Sequence, residues 1–140
     1  MRCFIFATHG YLSDAFVYSI EMILGQQENM HSIKMNPNTS TESIKEQLQN
    51  IVAQQESDTE YVVLTDILGG SITNLMAVWM TKENIHVLTG TNLPVAIELI
   101  SNNEDISLKQ LVHKSIYQGK EGIVYVNEVV ERQEQERMEF

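Results

Sequence analysis

Apolar residues along this chain fall in two rhythms, short unbroken runs and stripes spaced three or four residues apart, and the two alternate from one end to the other. Unbroken runs of this length read as strands covered on both faces, and spaced stripes as helices with one face toward a core. Residues 3–7 make the first strand. Phe16, Ile20, Ile23 and Leu24 then mark a helix that Gly25 ends. Residues 30–35 alternate like a strand and stop at Asn36-Pro37-Asn38, after which Ile44, Leu48, Ile51 and Val52 mark a second helix with N-cap chemistry from Thr41 and Ser43. A third strand covers 61–66, and a helix starting near Ser71 turns Ile72, Leu75, Met76 and Trp79 inward. The fourth strand, 85–89, breaks at Gly90; Leu93, Ile97 and Ile100 follow as a helix with Pro94 in its first turn, then Leu108, Leu111, Val112 and Ile116 as another. Gly122 introduces a last short strand over 123–126.

Strand and helix in strict alternation predict a single α/β domain with a mainly parallel central sheet, helices on both faces and right-handed crossovers. A chain of 140 residues, 43% of them hydrophobic, is long enough to bury the core that this fold needs. Nine Lys and Arg stand against 19 Asp and Glu, a net charge of -10, and no stretch gathers the cations. Nucleic acid and anionic membrane are therefore poor partners. With no basic leader and no apolar stretch near the roughly 20 residues of a membrane span, the chain is expected in the cytoplasm. The single cysteine, Cys3, lies in an apolar run and reads as a small core residue. Residues 128–140 carry five Glu and two Arg and read as an acidic tail, either a solvated helix or a disordered segment, beyond a domain over 1–127.

Two strand ends carry chemistry. The first run leads into Thr8, His9 and Gly10, and the third into Asp66, Gly69, Gly70 and Ser71. If those strands are parallel neighbours, His9 and Asp66 meet beyond the carboxyl edge of the sheet, where open parallel sheets bind ligands. A carboxylate bonded to one imidazole nitrogen fixes the tautomer and leaves the other free as a nucleophile. Ser13 stands in the first turn of the helix after His9, among backbone N–H groups without helical partners, and Gly69, Gly70 and Ser71 open the helix after Asp66. His9 and Asp66 are thus candidate catalytic residues, and Gly10, Ser13, Gly69, Gly70 and Ser71 candidate phosphate-binding ones. The constellation suggests a histidine that carries a phosphoryl group, needing no metal and no cofactor.

A lone histidine after a strand is structural or merely exposed in roughly two cases of three, and a Gly-Gly pair is usually only a turn. His31, His86 and His113, within strand and helix patterns, are read that way, and Asp14 as an exposed first-turn carboxylate. A hydrolase triad of His9, Asp66 and Ser71 would need a G-x-S-x-G elbow, and Leu68-Gly69-Gly70-Ser71-Ile72 is not one. His9 and Asp66 lack a third metal ligand, and neither nucleotide-binding glycine signature is present. A regulatory module of flavodoxin-like type, with no reactive His9, is the rival from another class.

Ala7-Thr8-His9-Gly10 with Leu12-Ser13, Thr65-Asp66-Ile67-Leu68-Gly69-Gly70-Ser71 with Asn74, and Thr89-Gly90-Thr91-Asn92-Leu93-Pro94 follow one another as in the mannose-family IIA domain of the bacterial phosphoenolpyruvate-dependent sugar phosphotransferase system, which residues 1–127 resemble. Ile72 stands where many relatives have Pro, and Ile67 where some have a hydroxyl residue. The resemblance implies that His9 is phosphorylated and that Asp66 holds its ring. It also implies the histidine-containing phosphocarrier protein as donor, a IIB component as acceptor, and contact with the membrane sugar permease only through that relay. It further implies a homodimer in which the strand over 123–126 is exchanged antiparallel. The phosphotransfer subunit of a dihydroxyacetone kinase carries similar motifs and is the nearest alternative.

Overall fold

The computed structural model describes the chain except residues 68, 69, 81, 83 and 140, and at 70–73 and 77 it describes the backbone alone. The elements run β1 (Arg2–His9), α1 (Leu12–Leu24), β2 (Met30–Met35), α2 (Thr41–Ala53), β3 (Glu60–Thr65), α3 (Gly70–Trp79), β4 (Ile85–Leu88), α4 (Leu93–Ser101), α5 (Leu108–Glu121) and α6 (Val126–Met138). The four strands form one sheet in the order β2-β1-β3-β4, every pair parallel.

The unbroken apolar runs are strands sandwiched between two helical layers, and successive residues of β1 enter different cores. Phe4 and Phe6 join Phe16 and Ile20 of α1 and Leu99 and Leu111 of α4 and α5, whereas Cys3, Ile5 and Ala7 join Ile44 and Leu48 of α2 and Met76 and Trp79 of α3. The rings of Phe6 and Phe16 stack with centroids 5.5 Å apart, fixing α1 over the sheet. Burial pushes the Cys3 thiol up to about 11, as suits an inert core residue.

Local chemistry sets the element ends. Ser40, one residue before the expected Thr41, caps α2 by accepting from the Ser43 N–H at 3.1 Å. Asn92 caps α4 by accepting from the Val95 N–H at 3.0 Å, and donates its amide to the Gly119 carbonyl of α5 at 2.8 Å. Ser107 and Gln110 close a capping box on α5.

One expected element is absent. Residues 123–125 form no strand, and the chain continues as α6, which turns the expected acidic tail into a helix. Strand bonds need a second backbone alongside, whereas helical bonds come from the same segment, and here the Tyr125 carbonyl accepts from Glu128 N–H at 3.1 Å. The apolar run is consequently left in solvent, with Ile123 79% and Tyr125 65% exposed, and α6 buries no residue.

Candidate functional site

Because β1 and β3 are adjacent and parallel, with Ala7 opposite Thr65, their carboxyl ends emerge side by side. His9 is the last residue of β1, still paired with Met35 of β2, and Asp66 is the first residue beyond β3. The Asp66 carboxylate accepts twice from His9 on the same oxygen, Oδ2: from the backbone N–H at 3.0 Å and from ring Nδ1 at 2.9 Å. Its other oxygen accepts from the Ile67 N–H at 3.0 Å. An ionised carboxylate has no proton to give, so Nδ1 carries the hydrogen of this bond and, in the neutral ring, Nε2 is the nitrogen with the lone pair. The ring is 65% exposed while the Asp66 side chain is 15% exposed, so the ring is open to solvent and its anchor is largely covered.

Partial burial pushes the Asp66 carboxyl up, but the hydrogen bonds from the His9 backbone, the His9 ring and the Ile67 backbone outweigh it and hold the group below the usual carboxylate range. The carboxylate is therefore ionised wherever the protein functions near neutral pH. The loop after β4 secures the same corner: Gly90 N–H donates to the Asp66 carbonyl at 3.1 Å, and Thr91 donates to the Thr65 carbonyl through its N–H at 3.2 Å and its hydroxyl at 2.7 Å. Gly90, at φ 70°, lets that loop turn back onto β3.

Of the other expected site residues, Gly10 adopts φ 59° and its N–H donates to the Met35 carbonyl at 2.9 Å. It makes the turn out of β1 and has no free donor to offer an anion. Ser13 is fully buried in α1, and among the described residues its hydroxyl has no partner. It does not cap the helix; Tyr11 stands at the N-cap without a side-chain bond. Gly69 lies outside the described residues, and Gly70 and Ser71 open α3 with only their backbone described.

Two features were not legible beforehand. Asp14 is not a free first-turn carboxylate: it accepts from the Ser32 hydroxyl at 2.6 Å and pairs with Lys34 at 3.2 Å, which ties α1 to β2. The Ser32 bond, ahead of the lysine, holds Asp14 below the usual range. Lys34 also lies over the Tyr11 ring, 5.4 Å from its centroid, and Tyr11 and Ile67, which follow His9 and Asp66 closely in the chain, are 72% and 65% exposed. No sequence period marks these pairs, because they follow from the packing of α1 on β2. Among the described residues no three His, Cys, Asp or Glu side chains gather as a metal site.

Comparison with known proteins places this geometry in context. The family described as EIIA-man, PTS system fructose IIA component, matches residues 3–116. The PTS system mannose-specific EIIAB component of Escherichia coli K12 is 30% identical over 85% of this chain, and the chain spans only 38% of that relative. The PTS system sorbose-specific EIIA component of Klebsiella pneumoniae is 32% identical over 76% of this chain and 78% of its own length. The crystal structure of phosphotransferase system component EIIA from Streptococcus agalactiae superposes with a TM-score of 0.80 and 31% identity, over 91% of this chain and 98% of that one.

Proposed function

Since the chain belongs to the mannose-type family of phosphotransferase-system IIA components, we propose that it is a phosphoryl carrier of bacterial sugar uptake whose carrier atom is Nε2 of His9. The observation that supports this most is the hydrogen bond between Nδ1 and Asp66 beneath an exposed ring, which commits Nδ1 and leaves Nε2 as the nitrogen to take the group. The Nε2 lone pair attacks the phosphorus of a phosphohistidine on the histidine-containing phosphocarrier protein; the donor P–N bond breaks as the new one forms, and the donor imidazole leaves with the electron pair. Nδ1 keeps its proton on Asp66, whose charge stabilises the positive character that the ring gains. Such a loose, in-line transfer depends on positioning and on charge stabilisation of the phosphoryl oxygens. The first-turn N–H groups of α1, the unpartnered hydroxyl of Ser13, and Gly69, Gly70 and Ser71 are assigned that second task.

The reverse geometry hands the group to a IIB component, which phosphorylates the sugar at the membrane permease. The sugar does not meet His9. Among the described residues no helix is long and apolar enough to cross a membrane. We assign the work to the cytoplasm, with residues 1–127 carrying the chemistry and 128–140 an acidic appendage, and the protein to a homodimer whose contacts include the exposed run at 123–126. The test is intact-mass measurement after incubation with phosphoenolpyruvate and the two general phosphotransfer proteins. A gain of about 80 Da, labile in acid and stable in base as for a phosphoramidate, is expected and should vanish in His9→Ala. A gain that survives His9→Ala, or maps to Ser71, refutes the assignment.

A further inference from the structure

Helix α1 begins without a cap. Tyr11 stands at its N-cap with no side-chain bond, and among the described residues the N–H groups of Leu12 and Ser13 have no acceptor. The Ser13 hydroxyl, fully buried in the same turn, is unpartnered as well. A helix end left open in this way attracts an anion, and this one starts three residues after His9.

The chain carries an anion of its own at that place. Asp14 is the third residue of α1, a position from which a carboxylate ordinarily turns back onto its own helix end, where the capping box places it and the dipole attracts it. Here it is drawn the other way. Oδ1 accepts from the Ser32 hydroxyl at 2.6 Å and Oδ2 pairs with Lys34 at 3.2 Å, so β2 engages both oxygens. Lys34 lies opposite Thr8 in the β1–β2 register, next to the His9–Met35 pair. The Lys34 and Asp14 side chains are 43% and 42% exposed, and an ion pair so open to water contributes little to stability. Its consequence is for the helix end. A phosphoryl group on His9 carries a charge of about −2, so a carboxylate released from β2 would both fill the N–H groups it needs and repel it.

We infer that Ser32 and Lys34 are positioning residues for phosphoryl transfer: by holding the Asp14 carboxylate against β2 and balancing its charge, they keep the first turn of α1 open to the phosphoryl oxygens. This rests on the carrier reading put forward above and adds residues of β2 to its machinery. The charge of Asp14 is then a competitor that must be restrained. A plain structural tether between α1 and β2 would have the opposite property, since loss of Asp14 could only harm it.

The full chain is compared as wild type, as Ser32→Ala with Lys34→Gln, and as that pair with Asp14→Ala added, by the rate of phosphate gain in intact-mass measurement and by amide hydrogen exchange. The double variant should gain phosphate about 5- to 30-fold more slowly, the factor by which a good N-cap stabilises a helix end, and adding Asp14→Ala should return the rate to within about threefold of wild type. Exchange at the Leu12 and Ser13 amides should slow in the double variant and recover with Asp14→Ala, whether or not phosphate is present. Circular dichroism checks that each is folded; if the double variant is not, Lys34→Gln alone replaces it and should slow transfer in the same direction, again with recovery by Asp14→Ala. Equal rates in all three proteins, or a triple variant as slow as the double, overturn the inference and leave the carrier reading standing. A wild type that gains no phosphate on His9 overturns the carrier reading and this inference with it.

Discussion

Replacing Asp66 by Asn separates the charge of the carboxylate from its shape. Asp66 accepts three hydrogen bonds, two from His9 at 2.9 and 3.0 Å and one from Ile67 at 3.0 Å. An amide has one oxygen for these donors, so either His9 or Ile67 faces an NH2 group. Two unit charges about 4 Å apart at an effective dielectric of about 20 interact by about 4 kcal/mol, and each 1.36 kcal/mol is about tenfold in rate. The His9 ring is 65% exposed, so solvent takes part of that interaction. Transfer to His9 should slow by about 10²- to 10³-fold, within the ~10²–10⁴ typical of losing a group that orients and polarises a base. Stability should fall too. The donors belong to the exposed residues His9 and Ile67, where water replaces a lost acceptor, so the cost is that of an ordinary hydrogen bond, about 0.5–1.5 kcal/mol, or about 2–5 °C in melting temperature for a domain of this size. Phosphorylation rate by intact mass and melting temperature by calorimetry are read on the same preparation. A rate within threefold of wild type would show that Asp66 does not serve His9. If the variant fails to fold, Asp66→Glu, which keeps the charge, should recover the fold and more of the rate than any neutral replacement.

The carboxylate also predicts a pH dependence with a definite sign. Its folded pKa is lowered, so its contribution is full above the unfolded value of about 3.9 and is lost as pH falls through the folded one; the stability gap between wild type and Asp66→Asn should be constant near neutrality and narrow below about pH 4, and a gap unchanged down to about pH 2.5 contradicts this. Gly119→Ala should destabilise by about 1–3 kcal/mol despite a helix-propensity gain of up to about 1 kcal/mol. The new Cβ would lie 2.9 Å from Cβ of Val95 and 3.2 Å from the Asn92 oxygen that caps α4, and a raised melting temperature would mean that α4 and α5 part without penalty.

The His9–Asp66 meeting was readable because both residues end apolar runs, and alternation of strand and helix makes those runs parallel neighbours. The same logic gave the sheet, its two helical faces and the structural character of Cys3. It gave neither the packing of α1 on β2 nor the register across β1 and β2, so the Asp14, Ser32 and Lys34 contacts and the bond that occupies the Gly10 N–H stayed hidden. Residues 123–126 mark the other limit. Ile, Val, Tyr and Val are strand formers by composition, yet a strand is a property of two segments, and in the single chain the segment has no partner and leads into a helix.

β1 is flanked on both sides, by β2 and by β3, from Phe4 to Ala7, and the pairing with β2 extends to His9 itself. A side chain on a central strand is displaced only when the whole sheet opens, whereas α6 and the β4 edge can fray at far lower free energy. Fluctuations at the periphery are thereby insulated from the His9 ring. If His9 is the phosphoryl carrier proposed above, it holds its place through repeated encounters without being re-ordered for each one.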